Sequence, residues 1–166
     1  MIGFLIFLSL LFMEPITSCY EKQVRELWTQ ASQLIQEKSL TDGEEGLFPV
    51  DVKSFLTERS QMLSPGEELL IFFYPKRSGF DLLVKDSSNF LEVGEFRKLA
   101  RSLGFEILHC ERKGHMASFS SREELCSFVL KYFHSELKEE LSFPIEREDG
   151  SLSFPSRIVI ATLKKL

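Results

Sequence analysis

Residues 63–75 read Leu63-Ser64-Pro65-Gly66-Glu67-Glu68-Leu69-Leu70-Ile71-Phe72-Phe73-Tyr74-Pro75. Pro65-Gly66 is a turn dipeptide, and Pro75 lacks the amide donor that a ladder needs, so the apolar run between them is bounded at both ends. It is too short for a core helix and it does not alternate. An apolar run of this length, so bounded, predicts a central strand over Glu68–Tyr74.

Upstream, a helix is expected over about Val50–Met62, stopped by Ser64-Pro65-Gly66. Before it, Val24, Leu27, Trp28, Ala31, Leu34 and Ile35 recur at three- and four-residue spacings, which marks Glu21–Glu37 as an amphipathic helix with Trp28 in the core. Thr41-Asp42-Gly43-Glu44-Glu45-Gly46 is a loop signal. Downstream, Glu92–Leu103 carries Val93, Phe96, Leu99, Ala100 and Leu103 on one helical face, and Gly104 suits the left-handed position after it. Phe105–Cys110 reads as the next strand. Ser120 or Ser121 caps a further helix, with Glu123 or Glu124 three residues on, and Leu125, Phe128, Val129, Tyr132 and Phe133 form its buried face. Glu148-Asp149-Gly150-Ser151 is a turn, and Arg157–Leu163 is a β-branched terminal strand ending at Lys164-Lys165. Strands and helices in this order describe an α/β protein without internal repeats.

Composition sets the outer bounds. A chain of 166 residues with 43% hydrophobic and 27% charged residues can bury one core and solvate its surface. The formal charge of −5 offers no global basic field, which sets nucleic acid aside as a partner. Cys19, Cys110 and Cys126 are too few and too widely spaced for a disulfide framework, and no Cys/His spacing matches structural zinc.

Met1–Met13 is apolar apart from Gly3 and Ser9. Thirteen residues fall short of the roughly 20 that span a bilayer. Two readings stay open. Ile2–Leu8 fits a buried strand of a parallel sheet in a cytoplasmic protein. Alternatively, the run is the apolar part of a secretory signal, and Ile16-Thr17-Ser18-Cys19 is similar to a lipobox, which would make Cys19 a lipidated N-terminus and the protein an exported or membrane-anchored interaction protein. Glu14-Pro15 and the lack of a basic residue before the run count against export.

Several phrases in fixed order carry a family resemblance. Leu63-Ser64-Pro65-Gly66-Glu67-Glu68-Leu69-Leu70-Ile71 resembles the "L-x-P-G-G-x-L-x-I" approach to the fifth strand of class I S-adenosylmethionine-dependent methyltransferases, with Glu67 replacing the second glycine. Phe96–Phe105 resembles their "F-x-x-L-A-x-x-x-G-F" helix. Phe119–Leu125 is similar to the start of the substrate-cap helix in the trans-aconitate type, and Asp149–Leu152 through Arg157–Ala161 to the closing hairpin. The resemblance implies the C-terminal half of a partial Rossmann-like methyltransferase fold, with a mixed sheet, an antiparallel C-terminal strand and flanking helices. It divides a single domain over 1–166 into an apolar segment 1–19, helices within 20–62 and a methyltransferase-like portion 63–166 with a cap helix at 120–142.

The resemblance also implies S-adenosylmethionine as cofactor and, through the cap, a small carboxylic acid as substrate. The family's "G-x-G-x-G" loop and the acidic end of its second strand are both missing from this sequence. Glycines are needed where backbone approaches the cofactor closely, and a carboxylate is needed to bind its ribose. By resemblance Met1 lies near the family's fourth strand, so the expectation is a truncated or split member, inactive alone, partnered by a complementary N-terminal half or by a second copy.

Candidate chemical residues are few. His115 is expected in the connection before the cap helix, where the family builds its substrate pocket; it can act as a base or bind a carboxylate, or be an exposed loop histidine. His109 belongs to no catalytic motif, and His134 is expected to interact with helix C-terminal carbonyls. Cys110, on a strand, and Cys126, on a buried helix face, read as small hydrophobes. Arg122, Arg147 and Arg157 can clamp an anion or simply solvate the surface. Arg112-Lys113 and Lys164-Lys165 read as solvated strand ends. The sixteen phenylalanines read mainly as core, some of them able to cover surface that a missing half would bury.

Overall fold

The computed structural model describes residue 26, residues 51–141 and residues 145–166. The expected strand Ile2–Leu8, the loop at 41–46, Cys19 and Trp28 lie outside the described residues, as does the helix Glu21–Glu37 apart from Glu26, which is helical and exposed.

Helix α1 spans Val52–Met62. The Asp51 carboxylate caps it, accepting from Ser54 N at 3.1 Å and from Ser54 Oγ at 2.7 Å, and these bonds hold the carboxyl below its usual pKa. In the following turn Gly66 takes φ +91°. Glu67, which stands where the family pattern has a glycine, closes the turn by accepting from Ser64 N at 2.7 Å. Strand β1, Glu68–Phe73, is buried along five consecutive positions. A short helix α2, Phe80–Leu83, follows.

Helix α3, Val93–Ser102, opens with a capping box between Glu92 and Glu95. It ends at Leu103 and Gly104, whose φ of +81° makes the left-handed exit. Strand β2 is Phe105–Phe119, helix α4 is Arg122–Phe133, β3 is Ile145–Glu146, and β4 is Leu152–Lys165.

The sheet order is β1-β4-β2, with β3 pairing against the start of β4. Strand β4 runs antiparallel to both neighbours, placing Phe72 opposite Ile160 and His115 opposite Ser156. β1 and β2 therefore point the same way, and the last strand lies between them in reverse. The protein has the expected α/β class with an antiparallel C-terminal strand.

Each face of the sheet is covered. On one face Val52, Leu56, Leu69, Ile71, Phe73, Phe96, Ala100, Val159, Ala161 and Leu163 form a largely aliphatic core beneath α1 and α3. On the other, Leu70, Phe72, Tyr74, Phe80, Phe90, Phe119, Leu125, Phe128, Val129 and Phe154 form a largely aromatic core beneath α2 and α4. Alternate residues of β1 and β4 feed opposite cores, which explains why those strands read as unbroken apolar runs. Among the described residues no helix is long and apolar enough to cross a membrane.

Several expected boundaries change. β2 extends nine residues past Cys110, because Glu111-Arg112-Lys113-Gly114 is held by its ladder to β4 and has no apolar signature of its own. β4 begins at Leu152, five residues before Arg157, for the same reason. The cap helix covers Arg122–Phe133 and not 120–142. It stops where His134 turns left-handed at φ +48° and its backbone N–H donates to Leu130 O. Beyond it, Leu137 bridges back to Val84 and is buried in the aromatic core. Strand β1 was expected to be central; among the described residues it has a partner on one side, β4.

Candidate functional site

On the aromatic face the loop after β1 meets β4 at Phe154, Pro155 and Arg157, beside the rung where Ser156 pairs His115. That loop is tightly specified. Ser78 N donates to Pro75 O at 3.1 Å, and Lys76 N to Leu91 O at 2.8 Å. Arg77 is held at φ +64°, a conformation that costs a non-glycine residue roughly 1 kcal/mol. The Asp81 carboxylate offsets that cost by accepting from Arg77 N at 2.9 Å and Gly79 N at 3.2 Å. Arg157 N then donates to Ser78 O at 3.2 Å, fastening the loop to β4.

Gly79 is required by this approach. A Cβ there would lie 3.0 Å from Pro155 O and 3.2 Å from the Phe154 ring, and its φ is +98°. The loop therefore presses its backbone onto β4 and sets Phe80 on Phe154, with ring centroids 5.0 Å apart and nearly perpendicular. Further rings extend the wall: Tyr74 lies 4.7 Å from Phe80, Phe133 lies 5.2 Å from it, and Phe119 lies 5.4 Å from Phe128.

Within this apolar setting sit two serines. Ser78 is 1% exposed and Ser156 2%, and among the described residues neither hydroxyl has a hydrogen-bond partner. A buried hydroxyl in that condition costs about 1–3 kcal/mol, so each is a donor ready for a polar group. Ser156 faces His115 directly across the ladder, and directly opposed side chains share a face. His115 is half-buried. Burial pushes its imidazole pKa below the ordinary value, although a hydrogen bond with the Lys113 backbone pulls the other way. Two buried hydroxyls beside an aromatic wall can orient a small hydrogen-bonding molecule. Among the described residues no cluster of His, Cys, Asp or Glu could hold a metal ion.

The other sequence candidates do not converge here. His115 itself lies within β2, not in the connection expected before the cap helix, because the strand runs on to Phe119. His109 lies six residues earlier on β2, roughly 20 Å away along the strand, exposed and 3.3 Å from Glu111 Oε2. His134 meets a helix carbonyl through its backbone N–H while its side chain is exposed. Cys110 packs partly against the aliphatic core. Cys126 is exposed and not on the buried helix face, because that face is set by Leu125, Phe128 and Val129.

Arg122 spends its guanidinium on the chain, donating to the carbonyls of Lys138 at 3.2 Å and Glu139 at 3.1 Å. Arg147 sits at the β3–β4 turn and Arg157 is exposed on β4. Lys165 is no solvated strand end: its Nζ caps Leu103 O at 2.8 Å and lies over the Phe105 ring. Helix α4 is capped as expected, with Ser121 Oγ accepting from Glu124 N and Glu124 returning to the backbone N–H and hydroxyl of Ser120.

Ser78 and Ser156 were not singled out in the sequence, although one signal existed. Phe154, Ser156, Ile158 and Ile160 alternate along β4, so Ser156 stands at an inward position of an otherwise apolar face. A shallow groove along α1, lined by Lys53, Ser54, Thr57, Glu58 and Gln61, draws its described lining from one helix and assembles no comparable chemistry.

The described residues do not fit a cradle for S-adenosylmethionine. Gly66 and Gly150 face open space at turns, while Gly79 and Gly104 close on the chain's own Pro155 and Lys165.

No family model matches the chain, and no curated protein matches it. Among solved structures it is similar to a "putative methyltransferase" from Bacillus halodurans C-125, at a TM-score of 0.44 and 11% identity, over 72% of this chain and 62% of that one. It is also similar to a functionally unknown protein from Deinococcus radiodurans R1, at a TM-score of 0.42 and 11% identity, over 69% of this chain and 46% of that one. The chain spans less than two thirds of either protein. At these values the likenesses carry no chemistry to this chain.

Proposed function

We propose that this chain supplies the C-terminal half of a class I methyltransferase-like fold, contributing the acceptor-side cap and not the methyl-donor site. The observation that carries the reading is the sheet, in which the last strand runs antiparallel to both neighbours, as the resemblance implies. Supporting it, the Pro65-Gly66 turn, the Leu103-Gly104-Phe105 helix exit and a helix after Ser121 all fall where the matching phrases require them.

S-adenosylmethionine would be held by a polypeptide portion bearing the glycine-rich loop that these 166 residues lack, and activity would require that portion. The acceptor class is a small carboxylic acid. A carboxylate accepts hydrogen bonds and donates none, which matches the buried hydroxyls of Ser78 and Ser156. The role of this half is to fix the acceptor's position and exclude water, and orientation of that kind supplies a large part of the acceleration in group transfer.

Equilibrium dialysis with radiolabelled S-adenosylmethionine tests the reading. The chain alone is expected to bind none saturably, and adding a methyltransferase N-terminal half should yield labelled methyl ester from a small carboxylic acid. Saturable cofactor binding by the chain alone would contradict the division of labour proposed.

A further inference from the structure

We propose that the outer edge of β2 pairs with the same edge of a second copy of this chain, antiparallel and centred on Arg112, joining two sheets into one. Among the described residues β2 pairs with β4 alone, so within them its fifteen residues have a second edge without a strand partner. Glu111, Arg112, Lys113 and Gly114 are four consecutive exposed positions. Exposure on both faces at once is what an uncovered edge produces, and a long edge of unpaired N–H and C=O groups is a template for another strand.

The occupant is argued from complementarity. A two-fold axis between identical antiparallel strands pairs one residue with itself and the rest symmetrically about it. Centred on Arg112, Glu111 of each copy faces Lys113 of the other, giving two opposite-charge pairs. Cys110 faces Gly114, and two small groups meet. His109 faces His115. Moving the centre by one residue loses the match: Glu111 then meets Glu111, or Lys113 meets Lys113.

Two features oppose pairing. Arg112 meets itself at the centre, and the register irregularity between Ile107 and His109 limits the regular ladder to the segment from His109 onward. These make a modest, salt-sensitive dimer the expected outcome, in place of the open-ended association that a flat apolar edge invites.

Sedimentation equilibrium of the full chain reads the result, with circular dichroism confirming that each variant is folded. The wild type is expected to be a dimer that weakens as salt rises. Lys113→Glu creates two like-charge pairs and should weaken the dimer roughly tenfold or more. The swap Glu111→Lys with Lys113→Glu restores both pairs and should restore the dimer, a recovery that general damage to the strand would not give. A monomer at all soluble concentrations would overturn the proposal, as would a dimer indifferent to Lys113→Glu or a swap that fails to rescue it. The outcome is independent of the methyltransferase reading, since no cofactor or substrate enters the measurement.

Discussion

The two faces of the sheet are built from the same three strands yet differ in kind. The face beneath α1 and α3 is largely aliphatic, with Leu56, Leu69, Ile71 and Leu163 beside three buried rings, of which Phe73 and Phe96 lie 4.7 Å apart. The face beneath α2 and α4 is a network of rings centred on Phe80, and it alone takes in Ser156 and His115 on the ladder. The aliphatic core mainly fills volume, and the one buried charge on its covering helix α1, Arg59, lies over the Phe55 ring. The aromatic core combines edge-on rings with buried hydroxyls. The proposed acceptor site lies on that face, and the other face serves the proposal as its internal control.

The comparison can be strained at matched positions. Phe80→Ala on the aromatic face should cost about 4 kcal/mol and Leu163→Ala on the aliphatic face about 3 kcal/mol in urea denaturation; equal losses would mean that the ring network adds nothing beyond volume. Gly79→Ala must fit a Cβ against Pro155 O at a φ of +98°, and should cost about 2–3 kcal/mol. Gly150→Ala meets no neighbour within 4 Å and should cost only about 1 kcal/mol. A similar loss at both glycines would show that backbone conformation, and not the press of the loop on β4, decides.

Serine to alanine should change sign with position. Ser121→Ala removes the α4 cap and should cost about 1 kcal/mol. Ser156→Ala removes a buried hydroxyl without a described partner and should be neutral or stabilising by up to about 1 kcal/mol, while abolishing carboxylate binding. A destabilisation at Ser156 matching that at Ser121 would remove the hydroxyl from the site.

The smallest effect is a pH slope. Burial lowers the folded-state pKa of His115, so the unfolded chain binds the proton first as pH falls. Stability is therefore full above the unfolded value near 6.5 and declines as pH drops from there through the lower folded value. His115→Gln should flatten that decline in denaturation curves recorded on either side of pH 6.5. An unchanged slope would place the titration elsewhere.

The sequence was most legible where apolar pattern and turn chemistry agreed. Leu69–Phe73 between Pro-Gly and Pro, and Phe96–Gly104 with its left-handed exit, fall within a residue or two of expectation. It was least legible where a strand owes its existence to its partner. Glu111–Gly114 are charged and exposed, and only the fourteen-residue β4 alongside makes them extended. That hidden length moved His115 from a connection into a strand and opposite Ser156, so the site could not be assembled from the sequence. Arg122 illustrates a second limit: its role as a tie to Lys138 and Glu139 depends on a fold-back after His134 that no local signal announced.

The central claim is that the aromatic face receives a small carboxylate while the aliphatic face does not. Two-dimensional amide NMR during titration with a small tricarboxylic acid tests it directly. The account predicts saturable shifts at Ser78, Gly79, His115 and Ser156, with α1 and α3 unmoved and the shifts absent in Ser156→Ala. Saturable shifts confined to α1 and α3, or none at any concentration, would contradict it.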